Sequence, residues 1–267
     1  MNSTVHRSLR IVHTDIRPDG WGGENSRILN TCLGLAGRGH FVAVAAPATG
    51  LLIQRAAEAG LATWPHLGRV RGFSPLIFYR MARALADFLN QQQIDILHTH
   101  GSNDTWIGAG AVKMAKRCIL IRTRHNTKPI STHYLNRRLY DRWITQTIAI
   151  SEPVKEVIVG RGLLPPDRVA VIPDGVDLTR YDPQKVQPAG IRERFGIPDD
   201  ALLVGDVART SPNKGHEDFI LAASEIIAVL PKAHFVIVGE GGEARYAQLR
   251  QFACSLGIND RIHLAGR

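Results

Sequence analysis

Short apolar runs alternate along the chain with stretches whose apolar residues recur every three or four positions. Leu9–Thr14, Phe41–Ala46, Ile94–His98, Ile119–Thr123, Gln146–Ile150 and Arg168–Ile172 have the length and composition of strands. Between them, helical spacing is predicted after Gly23 (Ile28, Leu29, Cys32, Leu33, Leu35, Ala36), over Leu76–Leu89, Ile107–Ala115 and Leu135–Trp143, and from Glu152. Strand–helix alternation implies a parallel sheet covered on both faces. The periodicity vanishes from Pro173 to Pro188, then resumes with a strand at Leu202–Ala208, a helix at His216–Leu230 and a strand at His234–Val238. A Gly-rich turn, a helix at Glu243–Leu256 and a strand at Arg261–Leu264 complete it. The expected organisation is therefore α/β: a Rossmann-like domain over 1–172, a linker over 173–188, and a second domain over 189–267 that repeats the first. Three strands and two helices make only half of a doubly wound domain, so the pattern predicts an amino-terminal piece of a longer protein.

Composition narrows the class. The 267 residues are 44% hydrophobic, as in globular proteins. The longest apolar stretch, Phe41–Ile53, is broken by Pro47 and Gly50 and is too short to span a bilayer. No apolar segment follows Met1–Arg10, so a cytoplasmic location is expected. Cys32, Cys118 and Cys254 lack metal-ligand spacing and read as buried small hydrophobes in a reducing compartment. No metal site is expected. Net charge is +9, and Lys113–Arg142 holds nine cations against one acid, Asp141. Such a segment favours a phosphate-bearing substrate or an anionic membrane surface. Without a recognition motif or aromatic platform, nucleic acid is not an expected partner.

The chemistry concentrates at predicted strand ends. Arg209-Thr210-Ser211-Pro212-Asn213-Lys214-Gly215-His216 places two cations between a strand and the first turn of a helix. There the free N–H groups and dipole of the helix suit a diphosphate. Gly22-Gly23 is either a close-approach loop or a plain turn, and Trp21 either lines an acceptor side or covers the sheet edge. His98 and His100 share a strand face, with His100 at the ligand-bearing end and His98 packed. Arg124 and His125 end the next strand and face the same cleft, where Lys128 could meet an anionic acceptor.

Eight motifs in order carry a resemblance: Trp21-Gly22-Gly23, Arg38-Gly39-His40, His98-Thr99-His100-Gly101 with Asp104 and Trp106, and Arg122-Thr123-Arg124-His125. Ile148-Ala149-Ile150-Ser151-Glu152, Ile172-Pro173-Asp174-Gly175-Val176-Asp177, Arg209 with Lys214-Gly215-His216, and Val238-Gly239-Glu240-Gly241 complete it. The chain resembles a family 4 retaining glycosyltransferase of GT-B fold, most similar to the bacterial enzymes of lipopolysaccharide and surface-glycan synthesis. The resemblance implies two Rossmann-like domains, the second truncated. It also implies transfer of a sugar from a nucleotide-diphosphate donor, used as substrate with no cofactor, to a glycan or lipid-linked acceptor. His100, Arg209 and Lys214 would be catalytic, and Gly22, Gly23, Gly239 and Glu240 would join the two cations around the donor. Trp21, Asn25, Arg124, His125 and Lys128 would lie on the acceptor side. Two departures stand out. Asn25 occupies a position where these enzymes commonly have an acid, with Glu24 one place earlier, and the ribose-binding Glu of the family would fall beyond Arg267. A GT-B sugar-nucleotide epimerase and an inactive binding fragment remain open alternatives.

Overall fold

The computed structural model describes residues 7–17, 20–68, 74–179, 181–187 and 190–266. Pro188, expected to end the linker, and the terminal Arg267 lie outside them. The chain divides into two compact units, Met1–Val176 and Asp177–Arg267.

Unit one is built from β1 (Arg10–Thr14), α1 (Gly23–Ala36), β2 (Phe41–Ala45), α2 (Leu51–Glu58), β3 (Ala62–Trp64), α3 (Pro75–Gln91) and β4 (Ile96–Thr99). It continues through α4 (Ser102–Met114), β5 (Ile119–Arg124), α5 (Tyr134–Arg138), β6 (Gln146–Ala149), α6 (Glu152–Val159) and β7 (Val169–Val171). The seven strands are parallel in the order β3-β2-β1-β4-β5-β6-β7. Strand residues alternate between two cores. In β2, Val42 and Val44 pack with Ile28, Cys32 and Leu52 of α1 and α2, whereas Ala43 and Ala45 join Leu85, Leu89, Leu97, Ile107 and Leu120 on the other face. Burial on both faces explains why the strands read as apolar runs.

The helix expected at Ile107 begins five residues earlier, at Ser102. Its polar first turn, Ser102-Asn103-Asp104-Thr105, carries capping residues instead of apolar periodicity. The expected helix at Leu135–Trp143 splits into α5 and a π-helical turn, Leu139–Trp143. α2 and β3 span eight and three residues, too few for a periodic signal. Arg27 of α1 donates to Ile172 O at 2.9 Å and pairs with Asp174, fixing the start of the expected linker to unit one.

Unit two contains α7 (Ile191–Phe195), β8 (Leu203–Val207), α8 (His216–Val229), β9 (His234–Val238), α9 (Glu243–Ser255) and β10 (Ile262–Gly266). Its parallel sheet has the order β10-β9-β8. Ile220 and Ala223 of α8 and Leu249 and Ala253 of α9 close over Phe235 and Ile237. Cys32 and Cys118 are buried as expected, but Cys254 is exposed, because α9 turns that position outward.

Gly108 lets α4 lie close on the sheet: a Cβ there would stand 3.0 Å from Leu97 Cδ2 and 3.1 Å from Thr99 Cγ2. Gly108→Val is expected to cost about 2 kcal/mol through overpacking, measured as a lower urea midpoint; an unchanged midpoint would show that the helix can shift freely.

Candidate functional site

β1 and β4 are neighbours, paired His13 to His98, yet the chain leaves them toward opposite edges of the sheet. This reversal of strand order opens a crevice beyond the carboxyl ends of the two strands, where open α/β sheets bind ligands. A cavity of about 530 Å³ lies there, lined by residues that include Asp15, Arg17, Glu24, His100, Ser102, Trp106, Arg122, Arg124 and His125.

One carboxylate assembles its floor. Asp104, fully buried in the first turn of α4, accepts from Thr14 Oγ1 at 2.6 Å, His100 N at 3.0 Å and Gly101 N at 3.1 Å through Oδ2. It caps the helix and ties the end of β1 to the β4–α4 turn. Above it runs a row of imidazoles. His13 Nδ1 lies 3.1 Å from His100 Nε2, and His100 Nδ1 lies 3.0 Å from His125 Nε2. His98, stacked 4.6 Å from His100, bonds instead to Thr123 Oγ1 at 2.7 Å. Burial holds His13 and His125 down at about 4 and His98 and His100 well below their ordinary value of 6.5. Each ring is therefore neutral at pH 7 and carries one proton, so both bonds in the row must point the same way.

Ligating atoms of His13, His98 and His100 lie within 4.8 Å of one another. The rings of His98 and His100 are only 19° from parallel, however, so their in-plane lone pairs do not converge on a common point, and His13 and His100 already bond to each other. The arrangement is a hydrogen-bonded row rather than a metal cage.

The cavity walls differ in charge. On one side Arg17 pairs with Asp15 at 3.1 Å and with Glu24 at 3.0 Å. Burial pushes Glu24 up to about 7 against the pull of Arg17, and its carboxylate lies 4.0 Å from His125 Nε2. Arg122 and Arg124 form the other side.

Of the acceptor-side residues expected from the sequence, Arg124 and His125 line the cavity, while Trp21, Asn25 and Lys128 are absent from its lining. Trp21 packs beside the α1–α2 core with Arg55 stacked 3.8 Å over its ring. Asn25 is buried and donates to Asp15 Oδ2 at 2.7 Å, because the phase of α1 directs it inward and gives Glu24 the cavity. Lys128 is exposed and contributes backbone groups here, its carbonyl to Arg124 and its N–H to Asn126 Oδ1 at 3.1 Å. Sequence reasoning missed His13, Asp15 and Arg122 as cavity or row members, while Glu24, noted there as an acid one place before Asn25, lines the cavity. For Arg122 a signal existed: two cations at i and i+2 in an otherwise apolar parallel strand. The basic segment is also not one solvated patch, since Arg122 and Arg124 are buried and Lys113 stacks on Trp143 at 3.6 Å.

In unit two, Arg209 and Lys214 are exposed just beyond the carboxyl end of β8, and neither makes an ion pair among the described residues. Their loop is fixed from beneath. Fully buried His216 bonds Asp206 Oδ2 at 2.8 Å and Arg209 O at 3.0 Å, and Gly215 adopts a φ of +72° at the start of α8. Thr210 N donates to Glu240 O at 3.0 Å. Gly239 and Gly241 serve this contact between loops: a Cβ would stand 1.8 Å from Ala208 O at the first and 1.6 Å from Thr210 Oγ1 at the second. In unit one, Gly22 and Gly23 have no atom within 4 Å of a built Cβ, so the α1 entrance is open.

With this geometry in view, comparison with known proteins places the chain. An Escherichia coli relative, UDP-Gal:alpha-D-GlcNAc-diphosphoundecaprenol alpha-1,3-galactosyltransferase, is 28% identical over 169 residues, 59% of this chain and 43% of the relative. The chain thus spans less than half the length of that relative. A glycosyltransferase from Rickettsia africae ESF-5 superposes with a TM-score of 0.84 at 18% identity, over 98% of this chain and 69% of the other. HepE of Anabaena, solved with UDP and glucose, gives 0.73 at 21% identity over 97% and 69%. These likenesses give the expected GT-B fold. The family model described as Glycosyl transferases group 1 matches residues 189–267, and that of Glycosyltransferase Family 4 matches residues 21–180. Since the latter match covers more than half of its length, the chain belongs to Glycosyltransferase Family 4.

Proposed function

We propose that the chain forms part of an enzyme that transfers a sugar, with retention, from a nucleotide-diphosphate donor to a phosphate-bearing glycan or lipid-linked acceptor in cell-surface polysaccharide synthesis. The observation that carries this reading is the pair Arg209 and Lys214, unpaired among the described residues, on a loop braced by His216 at the mouth of α8. Cleavage of the donor leaves new negative charge on a nucleoside diphosphate. Fixed cations and a helix N-terminus aimed at that charge stabilise the transition state more than the ground state, without reorganising. The UDP-Gal donor in the name of the E. coli relative and the UDP held by HepE support a uridine diphosphate donor. The diphosphoundecaprenol acceptor in the same relative's name supports a phosphate-bearing acceptor.

In unit one His100 has both ring nitrogens bonded within the row, so it would act by holding His125 at the cavity rim, and Asp15 and Glu24 would take hydroxyl donors. Gly22 and Gly23 would allow backbone approach by a substrate. The exposed Arg137, Arg142, Tyr134 and Leu135 around α5 suit peripheral contact with an anionic membrane, each cation adding about 1 kcal/mol. Among the described residues no helix is long and apolar enough to cross a membrane.

Arg209→Ala and Lys214→Ala are each expected to weaken UDP binding by roughly 10- to 100-fold, the worth of one charge-assisted hydrogen bond, by isothermal titration calorimetry. UDP affinity indifferent to both would sink the donor assignment.

The histidine row gives a pH signature. Between about pH 4 and 6.5 the unfolded chain binds more protons at His13 and His125 than the folded chain, so their stabilisation is present above 6.5 and is lost as pH falls toward 4. Glu24 acts oppositely: held up at about 7, it favours the folded state most below its unfolded value, and that contribution fades as pH rises through 7. The histidines outnumber it, so the urea midpoint is expected to fall on acidification. His13→Asn should flatten the slope by up to about 1.4 kcal/mol per pH unit. A wild-type midpoint constant from pH 6.5 to 4 would contradict a neutral row.

A further inference from the structure

Arg122 and Arg124 hold charge that the protein does not balance. They stand two residues apart on β5, so both side chains leave the same face of the strand, and they are only 4% and 7% exposed. Among the described residues neither makes an ion pair. Their partners are neutral: Arg122 Nη2 donates to Ser102 Oγ at 3.2 Å, while Arg124 Nη2 donates to Asn126 Oδ1 at 3.3 Å and to Lys128 O. The Nε–H of each is buried without a hydrogen-bond partner. Burial pulls Arg124 below its ordinary value; Tyr140 opposes that shift and the neighbouring Arg122 charge adds to it.

A buried guanidinium without a counter-charge is costly, and two side by side add repulsion. Such an arrangement is expected where function needs it and a ligand relieves it. Here both arginines, with Ser102 and Trp106, line two adjoining cavities of about 530 and 230 Å³. Ser102 opens the 13-residue helix α4, whose positive end adds to the same field.

We propose that Arg122 and Arg124 form the seat of a phosphoryl group, a phosphate or diphosphate ester, carried by the acceptor. The proposal rests on the reading that Arg124 and His125 lie on the acceptor side of a sugar transferase. Charge selects a phosphoryl group over a carboxylate: two guanidiniums need about two negative charges, which a phosphate monoester supplies near pH 7 and a single carboxylate does not. The planar forks of arginine also match tetrahedral phosphate oxygens bidentately. The larger cavity leaves room for the sugar that such an ester would bear, between this seat and the Asp15–Glu24 wall.

The test titrates inorganic pyrophosphate, geranyl diphosphate and UDP into the wild-type chain, Arg122→Met, Arg124→Met and the double variant Arg209→Ala/Lys214→Ala. Geranyl diphosphate is expected to bind the wild type, to weaken about 10- to 100-fold in each Met variant, and to keep its affinity in the double variant. Pyrophosphate, which the Arg209–Lys214 loop can also hold, is expected to lose one class of site in the Met variants and the other in the double variant. UDP is expected to behave in the reverse way to geranyl diphosphate. Without ligand, the Met variants should melt at or above the wild-type temperature, because an unbalanced buried charge has been removed. Arg124→Lys, which keeps the charge and loses the fork, should bind at an intermediate level. Diphosphate binding that ignores both Met variants, or Met variants that melt well below wild type, would overturn the seat. Pyrophosphate binding that the Met variants weaken, with exclusion of the geranyl ester, would assign it to free phosphate instead of the acceptor. UDP binding insensitive to Arg209 and Lys214 would overturn the donor reading and leave the seat standing.

Discussion

The Asp104 carboxylate is the contact from which the crevice of unit one is organised. Through a single oxygen it takes hydrogen bonds from the end of β1, from the backbone of the β4–α4 turn and from the cap of α4. Those are the two central strands at the point where the sheet reverses order, and the helix whose first turn walls the cavity. Inside a protein such bonds are stronger than in water and their loss is correspondingly expensive. Because the carboxylate fixes the backbone of His100, it also fixes the middle ring of the imidazole row, to which His13 and His125 are bonded.

The two units solve a similar problem by different means. Unit one holds its strand-end turn with a buried acid, whereas unit two holds its loop with a buried histidine, His216, bridging Asp206 and the Arg209 carbonyl. In both, an interior polar group that is hydrogen-bonded to backbone positions a flexible segment at the ligand-bearing edge. In unit two Arg209 and Lys214 can then stay without an ion pair among the described residues, since His216 and not their side chains holds the loop.

Much of this was legible in sequence. Strands buried on both faces read as apolar runs, and β9 was bounded correctly at His234 and Val238. What escaped has identifiable causes. His13 lies 87 positions from His100, and only the β1–β4 pairing unites them. The choice between Glu24 and Asn25 depends on where α1 begins, since one residue turns a helical side chain by about 100°. The start of α4 was hidden because capping residues carry no apolar rhythm. Arg122 was absorbed into a tally of positive charge, although its place in the Ile119-Leu120-Ile121 strand marked it as buried.

The row His13–His100–His125 has a consequence of its own. With one proton on each ring and every bond aligned, no imidazole can change tautomer alone without setting two donors or two lone pairs against each other. The three rings must therefore exchange tautomers as a set, in one of two directions. Whatever Glu24 or a bound hydroxyl demands of His125 at the cavity rim is thereby imposed on His13 in the interior, so the sheet itself senses the polarity of what occupies the crevice.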